Sequence, residues 1–180
     1  MSFDNLGLLF QKNVKDYPES LAIEFPSGES LTYQELNQLV NKTARLLNSK
    51  FGISVGDVVC ISGNKKKETF CVMLACLKIG AIYSVMDYDS PVKRLSIIIN
   101  TCQPKLIVAE KKLINTLDKS SKINILVNDF IEKKEKIKSY SGRNLSIVDS
   151  ITSNNGAYIM FTSGSTGAPK GALISHANLI

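Results

Sequence analysis

Short runs of β-branched and aliphatic residues recur along the chain, separated by stretches of helical spacing. This alternation restricts the fold more than any other feature. Val58-Val59-Cys60-Ile61-Ser62, Ala81-Ile82-Tyr83-Ser84-Val85-Met86, Lys105-Leu106-Ile107-Val108-Ala109 and Ile123-Asn124-Ile125-Leu126-Val127 read as strands. Their apolar residues tend to be continuous rather than alternating, which suits strands covered on both faces. After Lys65-Lys66-Lys67, a predicted helix carries Phe70, Met73, Leu74 and Leu77 as its buried face and ends at Gly80. A second opens with Ser90 as cap and Pro91 in the first helical position, carries Leu95, Ile98 and Ile99, and closes at Gln103-Pro104. Strand, helix, strand, helix, strand predicts an α/β fold, a mostly parallel sheet flanked by helices.

Upstream, Phe3, Leu6, Leu9, Phe10, Val14 and Tyr17 follow helical spacing, and Pro18 stops it. Leu21 to Phe25 reads as a strand, Pro26-Ser27-Gly28-Glu29 as a turn, and Ser30-Leu31-Thr32 as the return. Thr32-Tyr33-Gln34-Glu35 has the form of a capping box, in which the Thr32 hydroxyl accepts from the Glu35 N–H and the Glu35 carboxylate reaches back. The helix it opens runs to about Lys50, with Leu36, Leu39, Val40, Thr43, Ala44 and Leu47 on one face. Residues 128–155 break the pattern. With Lys133, Lys134, Lys136, Lys138 and Arg143 among Ser, Asn and Gly, they read as an exposed loop or linker.

Bulk properties remove several classes. The 180 residues are 44% hydrophobic and 21% charged, an ordinary balance for a folded chain. The net charge of +6 comes mostly from lysine. With only Arg45, Arg94 and Arg143 and no tryptophan, a nucleic-acid surface is not indicated. Cys60, Cys71, Cys76 and Cys102 form no C-x-x-C pair, and His176 is the single histidine, so a zinc site is not expected. The cysteines sit among apolar neighbours and read as buried free thiols in a reducing compartment. No signal-peptide pattern opens the chain and no apolar stretch has membrane-span length, so the expected location is the cytoplasm. Asp87 and Asp89 read as strand termination and turn rather than as a metal pair.

The chemistry concentrates in Tyr158-Ile159-Met160-Phe161-Thr162-Ser163-Gly164-Ser165-Thr166-Gly167-Ala168-Pro169-Lys170-Gly171. Apolar runs flank a segment of small residues and hydroxyls. Glycines allow successive N–H groups to point inward as a nest for an anion. Thr162, Ser163, Ser165 and Thr166 add hydroxyl donors, and Lys170 adds a point charge suited to phosphate. A Walker A loop is excluded, because no glycine directly precedes Lys170 and Gly171 follows it. The dinucleotide and kinase loops both need G-x-G, whereas Gly164 and Gly167 are three apart. His176, near a predicted helix start, is left outside the site.

The run from Thr162 to Gly171 resembles the phosphate loop of the adenylate-forming superfamily, which includes acyl-CoA synthetases, luciferases and nonribosomal peptide synthetase adenylation domains. Two companion stretches occur in the same order as in that family. Leu31-Thr32-Tyr33-Gln34-Glu35-Leu36 is similar to its early L-T-Y-x-E-L element. Leu77-Lys78-Ile79-Gly80-Ala81-Ile82-Tyr83-Ser84-Val85-Met86-Asp87 is similar to the L-K-A-G-x-A-Y-x-P-x-D element of amino-acid-activating members, followed by the related Asp89-Ser90-Pro91-Val92-Lys93-Arg94-Leu95. Ile79 and Val85 stand where alanine and proline are common.

The resemblance implies that residues 1–180 are the N-terminal part of an AMP-binding (adenylation) domain, with the phosphate loop between two strands. It implies a ligase in which a substrate carboxylate attacks the α-phosphorus of ATP with Mg2+ present, and pyrophosphate leaves. The acceptor would be a carrier-protein phosphopantetheine thiol if the substrate is an amino acid, or CoA in a fatty-acyl or aryl ligase. A truncated, non-catalytic nucleotide-binding or interaction module is the third expectation. By matching positions, Thr162, Ser163, Gly164, Ser165, Thr166, Gly167, Lys170 and Gly171 would hold phosphate, and Lys170 would also neutralise charge in catalysis.

Overall fold

The computed structural model describes residues 4–62, 65–87, 89–115, 123–131, 133, 137–163 and 169–180. Helix α1 (Leu6–Asp16) is followed by a two-stranded antiparallel hairpin, β1 (Leu21–Glu24) and β2 (Ser30–Thr32), and by helix α2 (Tyr33–Phe51). Then come β3 (Val58–Ser62), α3 (Lys67–Ile79), β4 (Ile82–Met86), α4 (Val92–Cys102), β5 (Leu106–Ala109), the short α5 (Lys111–Ile114) and β6 (Asn124–Val127). The chain ends in the long hairpin of β7 (Gly156–Ser163) and β8 (Pro169–Ser175).

Six strands form one sheet in the order β6-β5-β3-β4-β7-β8. All neighbours run parallel except β7 and β8, which are antiparallel. The expected mostly parallel α/β sheet is what forms. Its two faces carry different layers. Val59 and Ile61 of β3, with Leu106 and Val108 of β5, join Val40, Leu46 and Leu47 of α2 and Val72, Ala75 and Cys76 of α3 in one apolar cluster. Cys60, Met86, Ile107 and Ala109 face the other way, against Leu95, Ile98 and Ile99 of α4. This two-residue period is why the strands read as unbroken apolar runs: both faces are buried. Burying each such aliphatic side chain contributes about 1.5–3 kcal/mol.

The capping box forms as expected. Glu35 N donates to Thr32 Oγ1 at 3.2 Å, and Thr32 N donates to Glu35 Oε2 at 2.9 Å. Gly80 ends α3 with φ +71°, a left-handed conformation that glycine adopts without cost. Three expectations are corrected. Helix α3 buries Leu77, but Phe70, Met73 and Leu74 are only half-buried, and its deepest apolar residues are Cys71, Val72, Ala75, Cys76 and Ile79. The helix is apolar nearly all round, so spacing alone could not choose the side that meets the sheet and α2. Helix α4 begins one residue later than expected: Pro91 occupies the cap position and no side chain caps it.

The third correction concerns residues 128–155. Many of its described side chains are exposed, but Phe130, Ile131, Ile137, Val148 and Ile151 are buried, so the loop is anchored to the core. Polar side chains of α2 tie its backbone down instead. The Arg45 guanidinium donates to the carbonyls of Ser141 (2.9 Å) and Arg143 (2.7 Å), and Asn41 Nδ2 donates to Gly142 O (2.8 Å). These bonds replace the regular ladder that would otherwise satisfy the carbonyls.

Candidate nucleotide site

The candidate site stands where the sheet's connections diverge. From β3 the chain crosses through α3 to β4 on one side, and from β4 it returns through α4 to β5 on the other. Helices therefore leave the C-terminal ends of β3 and β4 over opposite faces, and a crevice opens at such a point. β7 adds alongside β4 with Tyr158 in register with Tyr83. These two rings stack, with centroids 5.6 Å apart and planes 18° from parallel. Burial pushes the Tyr83 phenol up to about 12, with Tyr158 and Cys76 adding to the effect, so this ring stays neutral.

A cavity of about 560 Å³ sits at the C-terminal ends of β4 and β7. Tyr83, Val85, Tyr158 and Met160 form its floor, and Asp87, Ser90 and Arg94 bring polar groups to it. Asp87 and Asp89 make a turn, as expected: Asp89 N donates to Asp87 Oδ1 at 3.2 Å and Ser90 N to Asp87 O at 3.1 Å. Half-buried Arg94 makes no ion pair or side-chain hydrogen bond among the described residues.

The hairpin of β7 and β8 carries the phosphate-loop residues. Thr162 pairs with Lys170 and Ser163 with Pro169 in an antiparallel register. Tyr158, Met160 and Thr162 share a face by the strand period, and Thr162 with its partner Lys170 stands two residues beyond the cavity-lining Met160, toward the hairpin tip. Both side chains are exposed, and Lys170 has no carboxylate partner among the described residues. Gly171 lies opposite Phe161, and a Cβ there would sit 3.0 Å from the Phe161 ring. Gly164, Ser165, Thr166 and Gly167, which fall between the two strands, lie outside the described residues, as does the Ser163 side chain. An exposed hydroxyl and an ammonium without a carboxylate partner among the described residues, paired across the hairpin, suit a polyanionic ligand.

His176, set outside the site from sequence, is buried and serves the fold: its Nδ1 accepts from Leu6 N at 3.1 Å. Sequence reasoning did miss Tyr83, Tyr158 and Arg94 as wall residues. Their signal was slight: Tyr83 is the second residue of β4, Tyr158 the third of β7, and Arg94 lies in the first turn of α4. Among the described residues no cluster of three His, Cys, Asp or Glu side chains could hold a metal ion. No helix among them is long and apolar enough to cross a membrane.

The structure is of the α/β class, a mostly parallel sheet flanked by helices with an antiparallel hairpin at one edge. Residues 10–180 match the model of the AMP-binding enzyme family, and the chain belongs to that family. The chain is 34% identical over 172 residues to zwittermicin A synthase ZmaJ of Bacillus cereus, covering 96% of this chain and 31% of that protein. It is 32% identical over 173 residues to a dimodular nonribosomal peptide synthase of Bacillus subtilis, covering 94% of this chain and 7% of the relative. Among solved structures, the Klebsiella oxytoca NpsA N-terminal subdomain superposes with a TM-score of 0.83 at 22% identity, over 98% of this chain and 43% of that one. This chain thus spans only a small part of the peptide synthases it matches.

Proposed function

We propose that this chain is the N-terminal part of an ATP-dependent ligase that adenylates an amino acid for transfer to a carrier-protein phosphopantetheine thiol. The pairing of Thr162 with Lys170 toward the tip of the hairpin carries the reading, supported by relatives that are peptide synthases. NpsA has been solved with 3-hydroxybenzoyl-AMSN, and in an artificial adenylation-PCP fusion. Those partners belong to NpsA, and an adenylate and a carrier protein are proposed here by extension. Residues 1–180 are proposed as one part of a single adenylation domain.

ATP would supply the adenylyl group and the pyrophosphate leaving group, and Mg2+ would share the phosphate charge. The protein's part is electrostatic. Thr162 and Lys170 present a donor and a cation from two paired strands, so little reorganisation is needed as charge develops on the departing phosphates. Ser163, Ser165 and Thr166 are proposed to add hydroxyl donors, and Gly164 and Gly167 to let the backbone approach. Gly171 keeps the return strand close beneath Phe161.

ATP–pyrophosphate exchange, measured on the full-length gene product, tests this. Lys170→Ala and Thr166→Ala are each expected to reduce exchange by about 10²-fold or more, the effect of losing one transition-state donor. Unchanged exchange in both variants overturns the assigned roles. A substrate panel of amino, aryl and fatty acids decides the class. Amino-acid-dependent exchange supports the reading; exchange only with aryl or fatty acids replaces it with a CoA ligase.

A further inference from the structure

Arg45 and Arg94 are both half-buried, and their guanidinium groups are served differently. Arg45 donates to the carbonyls of Asn41, Ser141, Arg143 and Asn144, at 3.3, 2.9, 2.7 and 3.3 Å. Lys67, half-buried as well, pairs with Glu29 at 2.7 Å. The Arg94 guanidinium has neither kind of partner among the described residues. Its backbone is fixed, with Arg94 N donating to Pro91 O at 2.9 Å in the first turn of α4. Asp87, the carboxylate on the same cavity, accepts from Asp89 N at 3.2 Å and makes no ion pair with Arg94.

The surroundings of this guanidinium are apolar. Arg94 and Ile98, four residues apart on one face of α4, line the cavity of about 560 Å³ with half-buried Ser90, and Tyr83, Tyr158 and Phe161 give it aromatic walls. A cation drawn partly out of water beside apolar rings costs free energy until an anion meets it with hydrogen bonds. Neither Thr162 nor Lys170 lines this cavity.

We propose that Arg94, assisted by the Ser90 hydroxyl, binds an oxyanion carried on an apolar or aromatic body, at a subsite separate from Thr162 and Lys170. The planar fork of the guanidinium matches the oxygens of a carboxylate or a phosphate, and the rings receive the body. In the proposed ligase reaction a substrate carboxylate must approach a nucleotide phosphate, and these like charges repel. A cation on α4, in addition to Lys170 on β8, offsets that repulsion. The choice of these two anions rests on the ligase reading; the cavity and the unpaired guanidinium do not.

Differential modification of the full-length gene product tests this. Phenylglyoxal derivatises unengaged guanidinium groups, and a peptide map follows Arg94, with exposed Arg143 as the internal reference. A mixture of benzoate and amino acids presents carboxylates, and AMP presents a phosphate on an aromatic body, each against potassium chloride at equal ionic strength. At least one is expected to slow modification of Arg94 severalfold and leave Arg143 unchanged. Protection by the carboxylates names the substrate as the source of the anion, protection by AMP names the nucleotide, and protection by both describes one subsite that accepts either. Protection by neither overturns the proposal.

Kinetics supply the second arm. In ATP–pyrophosphate exchange, Arg94→Ala is expected to raise the KM of the substrate that carries the protecting anion by about tenfold or more. Arg94→Lys keeps the charge without the fork and should recover part of that loss; it replaces the alanine variant if alanine alters the melting transition. Lys93→Ala removes an exposed charge one residue away and should leave KM within about twofold. An equal rise in Lys93→Ala would assign the effect to net charge and overturn the subsite. A protein whose Arg94 is protected but which shows no exchange with any acid sinks the ligase reading and keeps the subsite. Exchange lost in Lys170→Ala and unaltered in Arg94→Ala does the reverse.

Discussion

Lys78 is the most unusual single residue of the core. It is fully buried on α3, and the groups around it are amides rather than carboxylates. Its Nζ donates to Asn37 Oδ1 at 2.5 Å, to Asn41 Oδ1 at 2.7 Å and to Asn144 Oδ1 at 3.4 Å, and lies 5.3 Å from the centre of the Phe10 ring. One ammonium thus joins α1, α2, α3 and the segment after β6. Removing it leaves two buried amide oxygens short of a donor, together with the volume of the chain. Lys78→Ala is expected to cost about 3 kcal/mol in chemical denaturation. Burial, and to a lesser extent Arg45, lowers Lys78 from 10.5 to about 7. Between those two values the unfolded chain binds a proton that the folded chain does not, so stability rises with pH across that window. Denaturation midpoints at pH 7 and pH 9.5 should therefore diverge in the wild type and converge in Lys78→Met. The sequence placed Lys78 in a recognisable motif but gave no sign of its burial, because its partners lie 37, 41 and 66 positions away.

Elements whose determinants are local were legible; elements positioned by remote partners were not. The start of α2 needs only Thr32 and Glu35, three residues apart, and both bonds of the box are made. Thr32→Ala is expected to lower stability by about 1 kcal/mol, with most of the loss recovered in Thr32→Ser; equal loss in both variants would remove the cap as the cause. The end of α3 is equally local, since Gly80 needs only its own left-handed φ. By contrast, the buried side of α3 depends on where α2 and the sheet lie, and the packing of 128–155 depends on Arg45 and Asn41 nearly a hundred residues upstream. Composition made that segment look solvated, because its lysines are visible in sequence and the carbonyls it offers to α2 are not. The hairpin was legible as two strands around a loop, and its register brings Thr162 opposite Lys170. The stack of Tyr83 on Tyr158 needed the sheet order, which joins residues 75 positions apart.

At the scale of the whole molecule, the two ends of the chain are held together by a small polar joint, and that joint should make stability depend on acid. Asn5 caps α1 by accepting from Leu8 N at 2.9 Å, and its Nδ2 donates to Val148 O at 3.0 Å and Ile151 O at 2.8 Å. One residue on, Leu6 N donates to Nδ1 of His176, just past β8. His176 N and Ala177 N in turn donate to the carbonyls of Asn155 and Ser153, so β8 leaves the sheet pinned beside α1. An Nδ1 that accepts must be unprotonated, which places the imidazole proton on Nε2. Burial lowers the His176 pKa below its usual 6.5. As pH falls through 6.5 the unfolded chain takes up a proton that the folded chain refuses, so stability declines over that range and below it. When His176 is finally protonated, Nδ1 becomes a donor facing the Leu6 N–H, and the joint is lost. His176→Asn keeps an acceptor near Nδ1 and removes the titration. It should retain much of the stability at pH 7.5 and show a smaller loss on going to pH 5 than the wild type. His176→Ala should lose about 1–3 kcal/mol at pH 7.5, with faster amide exchange at Leu6. If the wild type and His176→Asn lose stability equally between pH 7.5 and 5, the acid sensitivity belongs to other groups, and His176 is a packing residue only.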